Sequence, residues 1–109
     1  MGVYNPSQKE YFFRAVLSIV HQSFQDWELI LYDDGSAKPY EKMIRQAVKL
    51  DNRIMYIRGE KNHGLAYALN QGIHYASGEY IARMDDDDIA KSDRLAKQYH
   101  FLELHPQYQ

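Results

Sequence analysis

Along this 109-residue chain the apolar residues switch repeatedly between the 3.6 period of a helix and short extended runs, with turn residues at each switch. That alternation constrains the fold more than any other feature. Phe12, Val16, Ile19 and Val20 recur at i, i+4, i+7 and i+8, after Asn5, Pro6 and Ser7 as start signals, and predict a helix over about 7–22. Trp27 to Tyr32 is an apolar run broken only by Glu28 that ends abruptly in Asp33, Asp34, Gly35 and Ser36, the pattern of a buried strand and a turn. Tyr40, Met43, Ile44, Ala47 and Val48 stripe a second helix, and Arg53 to Arg58 predicts a second strand. Leu65, Ala68, Leu69, Gly72, Ile73 and Ala76 keep helical spacing until Gly78 stops them. Glu79 to Met84 predicts a third strand running into Asp85, Asp86, Asp87 and Asp88. A last helix over about 92–104 turns Leu95, Tyr99 and Leu102 inward and ends before Pro106.

Strands and helices alternating at this spacing predict an α/β class with a parallel sheet and helices on both faces. Such a fold normally opens with an apolar strand, yet only Met1, Gly2, Val3 and Tyr4 precede Asn5, so the first strand is expected to be truncated or supplied from elsewhere. Neither a repeat nor a low-complexity linker divides the chain, which is expected to form one partial domain over residues 1–109. Its incomplete sheet edge makes self-association an expectation.

Composition narrows the chemistry. Lys and Arg number 13 against 15 Asp and Glu, for a net charge of −2, so there is no basic field to release counter-ions from nucleic acid. No Cys is present, which removes disulfides, thiolate metal sites and a Cys nucleophile together. The longest stretch without Asp, Glu, Lys or Arg, Asn62 to Gly78, holds Asn62, His63, Asn70, Gln71 and His74 and does not suit a bilayer. No charged segment followed by an apolar core marks a signal peptide, so the cytoplasm is the expected compartment, or the inner face of the membrane in a longer protein.

Six of the fifteen acidic residues fall in two clusters, Asp33/Asp34 and Asp85 to Asp88, each directly after a predicted strand. In open parallel sheets the carboxyl ends of the strands line the ligand crevice, so both clusters are expected at one edge. Four successive aspartates repel one another, and a hard divalent cation with oxygen ligands offsets that cost. An EF-hand is excluded: starting at Asp85, Asp86 or Asp87, the sixth position is Ala90, Lys91 or Ser92 where Gly is needed, and the twelfth is Ala96, Lys97 or Gln98 where Glu is needed. A phosphatase with an aspartyl nucleophile is an alternative, although its cluster would follow the first strand. Neither a dinucleotide G-x-G-x-x-G nor a P-loop occurs, leaving a metal ion at the aspartate loop as the means of meeting phosphates. The five histidines show no i, i+4 pairing, and only His63 lies in a loop before a helix N-terminus.

These residues carry a resemblance. Val3-Tyr4-Asn5-Pro6, Ser18-Ile19-Val20-His21-Gln22-Ser23-Phe24, Trp27 to Ser36, Asn62-x-Gly64-Leu65-Ala66-x-Ala68-Leu69-Asn70, and Ala76-x-Gly78 to Asp88 with Arg94-Leu95 resemble the nucleotide-binding half of family 2 glycosyltransferases of Rossmann-like GT-A fold. The blocks span nearly the whole chain in the family's order and spacing, as a half truncated at both ends. The resemblance implies that Tyr4 and the backbone of Val3 lie against the nucleotide base, and that Asp33 or Asp34 accepts hydrogen bonds from base or ribose. Asn62 and the helix beginning near Gly64 would border the sugar-diphosphate pocket, where exposed amides favour negative charge. Asp85 and Asp87 would form the D-x-D element, with Asp87 as the ligand of Mg2+ or Mn2+, Asp85 nearer the ribose and Asp88 orienting the donor sugar. Asp86 belongs to the same nucleotide-sugar-binding run, at a position where the family more often has a small residue.

The implied activity is metal-dependent, inverting transfer from a UDP- or GDP-sugar, in bacterial cell-surface polysaccharide synthesis. No catalytic residue is expected in this chain, because the family's general base comes from the half that would follow Gln109, and the fragment alone is expected to be inactive. The alternative is a non-catalytic nucleotide-sugar-binding or interaction module that lacks the acceptor half.

Overall fold

A computed structural model describes residues 1–108. Three strands, β1 (Gly2–Val3), β2 (Leu29–Asp33) and β3 (Ile54–Arg58), form a parallel sheet in the order β1-β2-β3. Four helices accompany it: α1 (Lys9–Val20), α2 (Lys38–Val48), α3 (Leu65–Tyr75) and α4 (Arg94–Leu104), with a 3-10 turn over Pro106–Tyr108. The predicted α/β class with a parallel sheet is the one observed.

β2 is buried along its whole length, as expected of a central parallel strand covered on both faces. Leu29 and Leu31 pack with Val3, Ile54, Phe12, Val16, Ile19, Ile44 and Ala47, so α1 and α2 cover one face. The alternate residue Tyr32 meets Tyr67 of α3 edge to face, with ring centroids 6.2 Å apart, on the other face. α3 approaches β1 so closely that a Cβ on Gly2 would lie 3.1 Å from that of Ala68. At about 25 cal/mol per Å² of apolar surface removed from water, this two-sided burial around β2 is the main stabilising term of the fold.

Two expectations need correction. Glu79 to Met84 forms no strand: among these residues only Met84 is buried, and Ile81 is half exposed. A strand needs a ladder partner, and the one free edge next to β2, that of β1, offers only the two residues Gly2 and Val3. The stripe on α3 is also less buried than its period implies, since Ala68 alone is buried while Leu65 and Ile73 are half exposed. Three strands give α3 too little sheet to cover its whole apolar face. On α4, Leu95, Tyr99 and Leu102 are only partly buried.

Candidate functional site

The two acidic clusters differ in their surroundings. Asp33 closes β2 and is fully buried. Its Oδ1 accepts the Ser36 amide at 2.9 Å, and its Oδ2 accepts the Tyr56 hydroxyl at 2.7 Å and Arg58 Nη1 at 2.8 Å. Arg58 stands opposite Asp33 in the β2–β3 register and also donates to the Ser36 carbonyl at 2.7 Å. Burial, then the bond to Asp33, pushes the Tyr56 hydroxyl up to about 12. A buried carboxylate is costly unless it is paired and hydrogen-bonded, and Asp33 is both.

Asp34 points its carboxylate at the start of α3. It accepts the His63 amide at 3.1 Å and the Gly64 amide at 2.8 Å, while its own amide donates to the Val3 carbonyl at 2.8 Å. Gly64 has no side chain to cap α3, so a residue thirty positions earlier supplies the negative charge that a helix N-terminus favours. The turn between the carboxylates and α3 is tight: Gly35 has φ +77°, and a Cβ there would lie 2.7 Å from the Lys61 carbonyl carbon. Asn5, at φ 41°, donates its amide to Ser36 Oγ at 2.8 Å and accepts the Ala37 amide at 2.9 Å, which ties the exit of β1 to the exit of β2. Val3 is buried, Tyr4 is half exposed and Asn62 is exposed. Val3, Tyr4, Asp34, Asn62 and Gly64 therefore lie along the connected exits of β1 and β2 and the entry to α3.

Asp85, Asp87 and Asp88 form the second cluster, each offering a carboxylate oxygen within 4.8 Å of the others. Asp86 is not part of that trio. Burial, then the charge of Asp87, holds the Asp86 carboxyl above the usual carboxylate range. The run begins beside the foot of β1: burial lowers the pKa of the Met1 ammonium, and the charge of Asp85 opposes that shift. Arg83 lies 3.8 Å from Asp85 as a loose ion pair. An open cleft of about 570 Å³ adjoins the run, lined by Arg83, Asp85, Asp88, Ile89, Lys91 and Arg94; none of Tyr4, Asp34 or Asn62 lines it. Three hard oxygen donors converging beside a fourth carboxyl of raised pKa fit a divalent cation, which would relieve the repulsion.

The sequence pattern picked out both carboxylate clusters and missed what holds them. Arg58 and Tyr56 were visible only as strand residues, although aligning the ends of two adjacent parallel strands would have set Arg58 against Asp33. Gln22 gave no signal beyond its place in a motif, yet it is buried at the other side of the aspartate loop. The general base expected after Gln109 lies outside the described residues.

Residues 1–108 match the glycosyl transferase family 2 profile. The chain is 41% identical over 110 residues to EpsE of Bacillus subtilis strain 168, a protein assigned by name as a glycosyltransferase; the match covers 100% of this chain and 39% of EpsE. TuaG of the same organism, assigned by name to teichuronic acid biosynthesis, is 36% identical over 94% of this chain and 40% of its own length. Among solved structures, a mannosyltransferase from Pyrobaculum calidifontis, in complex with GDP-Man and Mn2+, superposes with a TM-score of 0.81 at 21% identity over 93% of this chain and 30% of that one. Staphylococcus aureus TarS residues 1–349 superpose with a TM-score of 0.80 at 23% identity, covering 95% of this chain and 31% of that one. The fold is that of the GT-A glycosyltransferases, and the chain belongs to glycosyl transferase family 2.

Proposed function

We propose that this chain is the donor-binding part of a metal-dependent, inverting glycosyltransferase that builds polysaccharide, and that it holds a nucleotide-diphosphate sugar. The observation that carries this reading is the trio Asp85, Asp87 and Asp88, gathered within 4.8 Å on the loop where the D-x-D element was expected. Support comes from relatives assigned by name to glycosyl transfer and teichuronic acid synthesis, and from a neighbour of the same fold whose structure contains GDP-Man and Mn2+.

In this reading Tyr4 and the Val3 backbone meet the base. Asp33 has its carboxylate committed to Ser36, Tyr56 and Arg58 and shapes the pocket from behind. Asp34 is also buried, at 2% exposure, and borders the ribose side from beneath its two amide partners. The first-turn amides of α3 beyond the His63 and Gly64 amides, which Asp34 already occupies, face the diphosphate side. Asp87 is the principal metal ligand, with Asp85 and Asp88 beside it, and Mg2+ or Mn2+ held there supplies charge neutralisation for the departing diphosphate. Equilibrium dialysis of a UDP-sugar and a GDP-sugar, with and without Mn2+, tests the reading. Retention of one of them only with metal is the expected result; retention of neither refutes it.

We also propose that the chain self-associates across the outer edge of β1, which Leu65 adjoins with half of its side chain exposed. Sedimentation velocity should show a concentration-dependent dimer, and a monomer throughout would contradict this.

A further inference from the structure

The aspartate run would disperse on an untethered loop, because four adjacent carboxylates repel. Its two ends are tethered. Before the run, Met84 is 6% exposed and packs into the α1–α2 side of the core. After it, the chain is gripped by the C-terminal end of α1. Gln22, 1% exposed, donates its Nε2 to the Ser18 carbonyl at 2.9 Å and to the Lys91 carbonyl at 2.7 Å, and its Oε1 accepts the Leu95 amide at 3.0 Å. Ser18 Oγ accepts the Ala90 amide at 3.0 Å, and the Ser23 amide donates to the Ser92 carbonyl at 2.8 Å. One buried amide thus joins the last turn of α1 to both the loop after the aspartates and the first turn of α4. Within the run, the Asp88 amide reaches the Asp85 carbonyl at 3.3 Å, a long bond that does little to fix the turn by itself.

We propose that Gln22, assisted by Ser18, is the positioning residue for the aspartate run: it fixes Ala90, Lys91 and Leu95 so that Asp85, Asp87 and Asp88 converge on one point. Its effect on ligand binding rests on the metal reading above; its effect on the loop does not. Gln22 touches neither metal nor substrate and acts through the backbone of 90–95. Partners that orient ligands from outside typically change metal affinity by about 10–100-fold when removed.

The test compares Gln22→Met, which keeps the side chain's length and removes its hydrogen bonds, with Ile44→Val in the α1–α2 core as a control of modest destabilisation. Ser18→Ala provides a milder lesion should Gln22→Met fold poorly. Two quantities are read: Mn2+ affinity with UDP or GDP present, followed by the Mn2+ electron paramagnetic resonance signal, and amide hydrogen exchange at Asp88, Ala90 and Leu95. Gln22→Met is expected to weaken Mn2+ binding by roughly tenfold or more and to speed exchange at all three amides. Ser18→Ala, which removes the acceptor of the Ala90 amide alone, should speed exchange chiefly at Ala90 and weaken Mn2+ binding less than Gln22→Met, and Ile44→Val should change neither. Unchanged Mn2+ affinity in Gln22→Met overturns the proposal, as does an equal loss in Ile44→Val. If the unaltered protein binds no Mn2+, the metal reading fails, and exchange alone decides the positioning role: unchanged protection of Asp88 in Gln22→Met overturns it.

Discussion

At the scale of single residues, adjacent aspartates have different work. Asp33 is spent on the interior, where Asp33→Ala leaves the Tyr56 hydroxyl, Arg58 and the Ser36 amide without their acceptor. Bonds to charged groups and broken buried pairs put the loss at about 2–4 kcal/mol, readable from urea unfolding. Asp34→Ala removes the charge at the start of α3 and should cost about 1–2 kcal/mol, within the range for a lost cap. Asp86 supplies a pH test. Its folded carboxyl sits above its ordinary value, by burial first and the charge of Asp87 second, so folding disfavours its charged form. Ionised Asp86 therefore opposes folding at neutral pH, and that penalty fades as pH falls through the raised value. Asp86→Asn should stabilise the metal-free protein near pH 7, and the gain should vanish well below the ordinary value of 3.8; a uniform effect across that range would contradict this. The acidic runs were legible because adjacent carboxylates stand out in sequence, although only Asp33 and Asp34 stand at a strand end. Arg58, Tyr56 and Gln22 were not, because their importance lies in partners 22 to 73 positions away.

At the scale of elements, legibility followed burial. β2 is an apolar run and was evident; α1 buries Phe12, Val16 and Ile19 of its stripe, and α2 buries Ile44 and Ala47 with Tyr40, Met43 and Val48 partly buried. The sequence over 79–84 has strand character, but pairing is a property of the neighbour, and β1 is two residues long. The turn after β2 makes a sharper prediction. Gly35 combines φ +77° with the backbone of Lys61 and Asn62 closer than any Cβ allows. Gly35→Ala should therefore lower stability by about 1–3 kcal/mol, the cost of a strained backbone position, and should weaken nucleotide binding by moving the 61–64 loop. Wild-type stability and binding in that variant would show that the loop yields without consequence.

For the whole molecule, the family, the parallel sheet and the acidic loop belong to a chain that spans 39% of EpsE and 40% of TuaG. Burial is concentrated around β2, while Leu65 and Ile73 on α3 and Ile81 after it leave apolar side chains exposed. A ligand that binds only the folded state stabilises it by mass action, so Mn2+ with the matching nucleotide at a hundred times its dissociation constant should add about 2.7 kcal/mol. That gain appears as a rise of several degrees in the thermal midpoint, and neither component alone should reproduce it. The most direct test of the donor site is calorimetric titration of UDP and GDP into the protein with and without Mn2+, beside the Asp87→Ala variant. The expected result is binding of one nucleotide that requires both the metal and Asp87; binding indifferent to Mn2+ and to Asp87→Ala would rule out a metal-dependent donor site on the aspartate run.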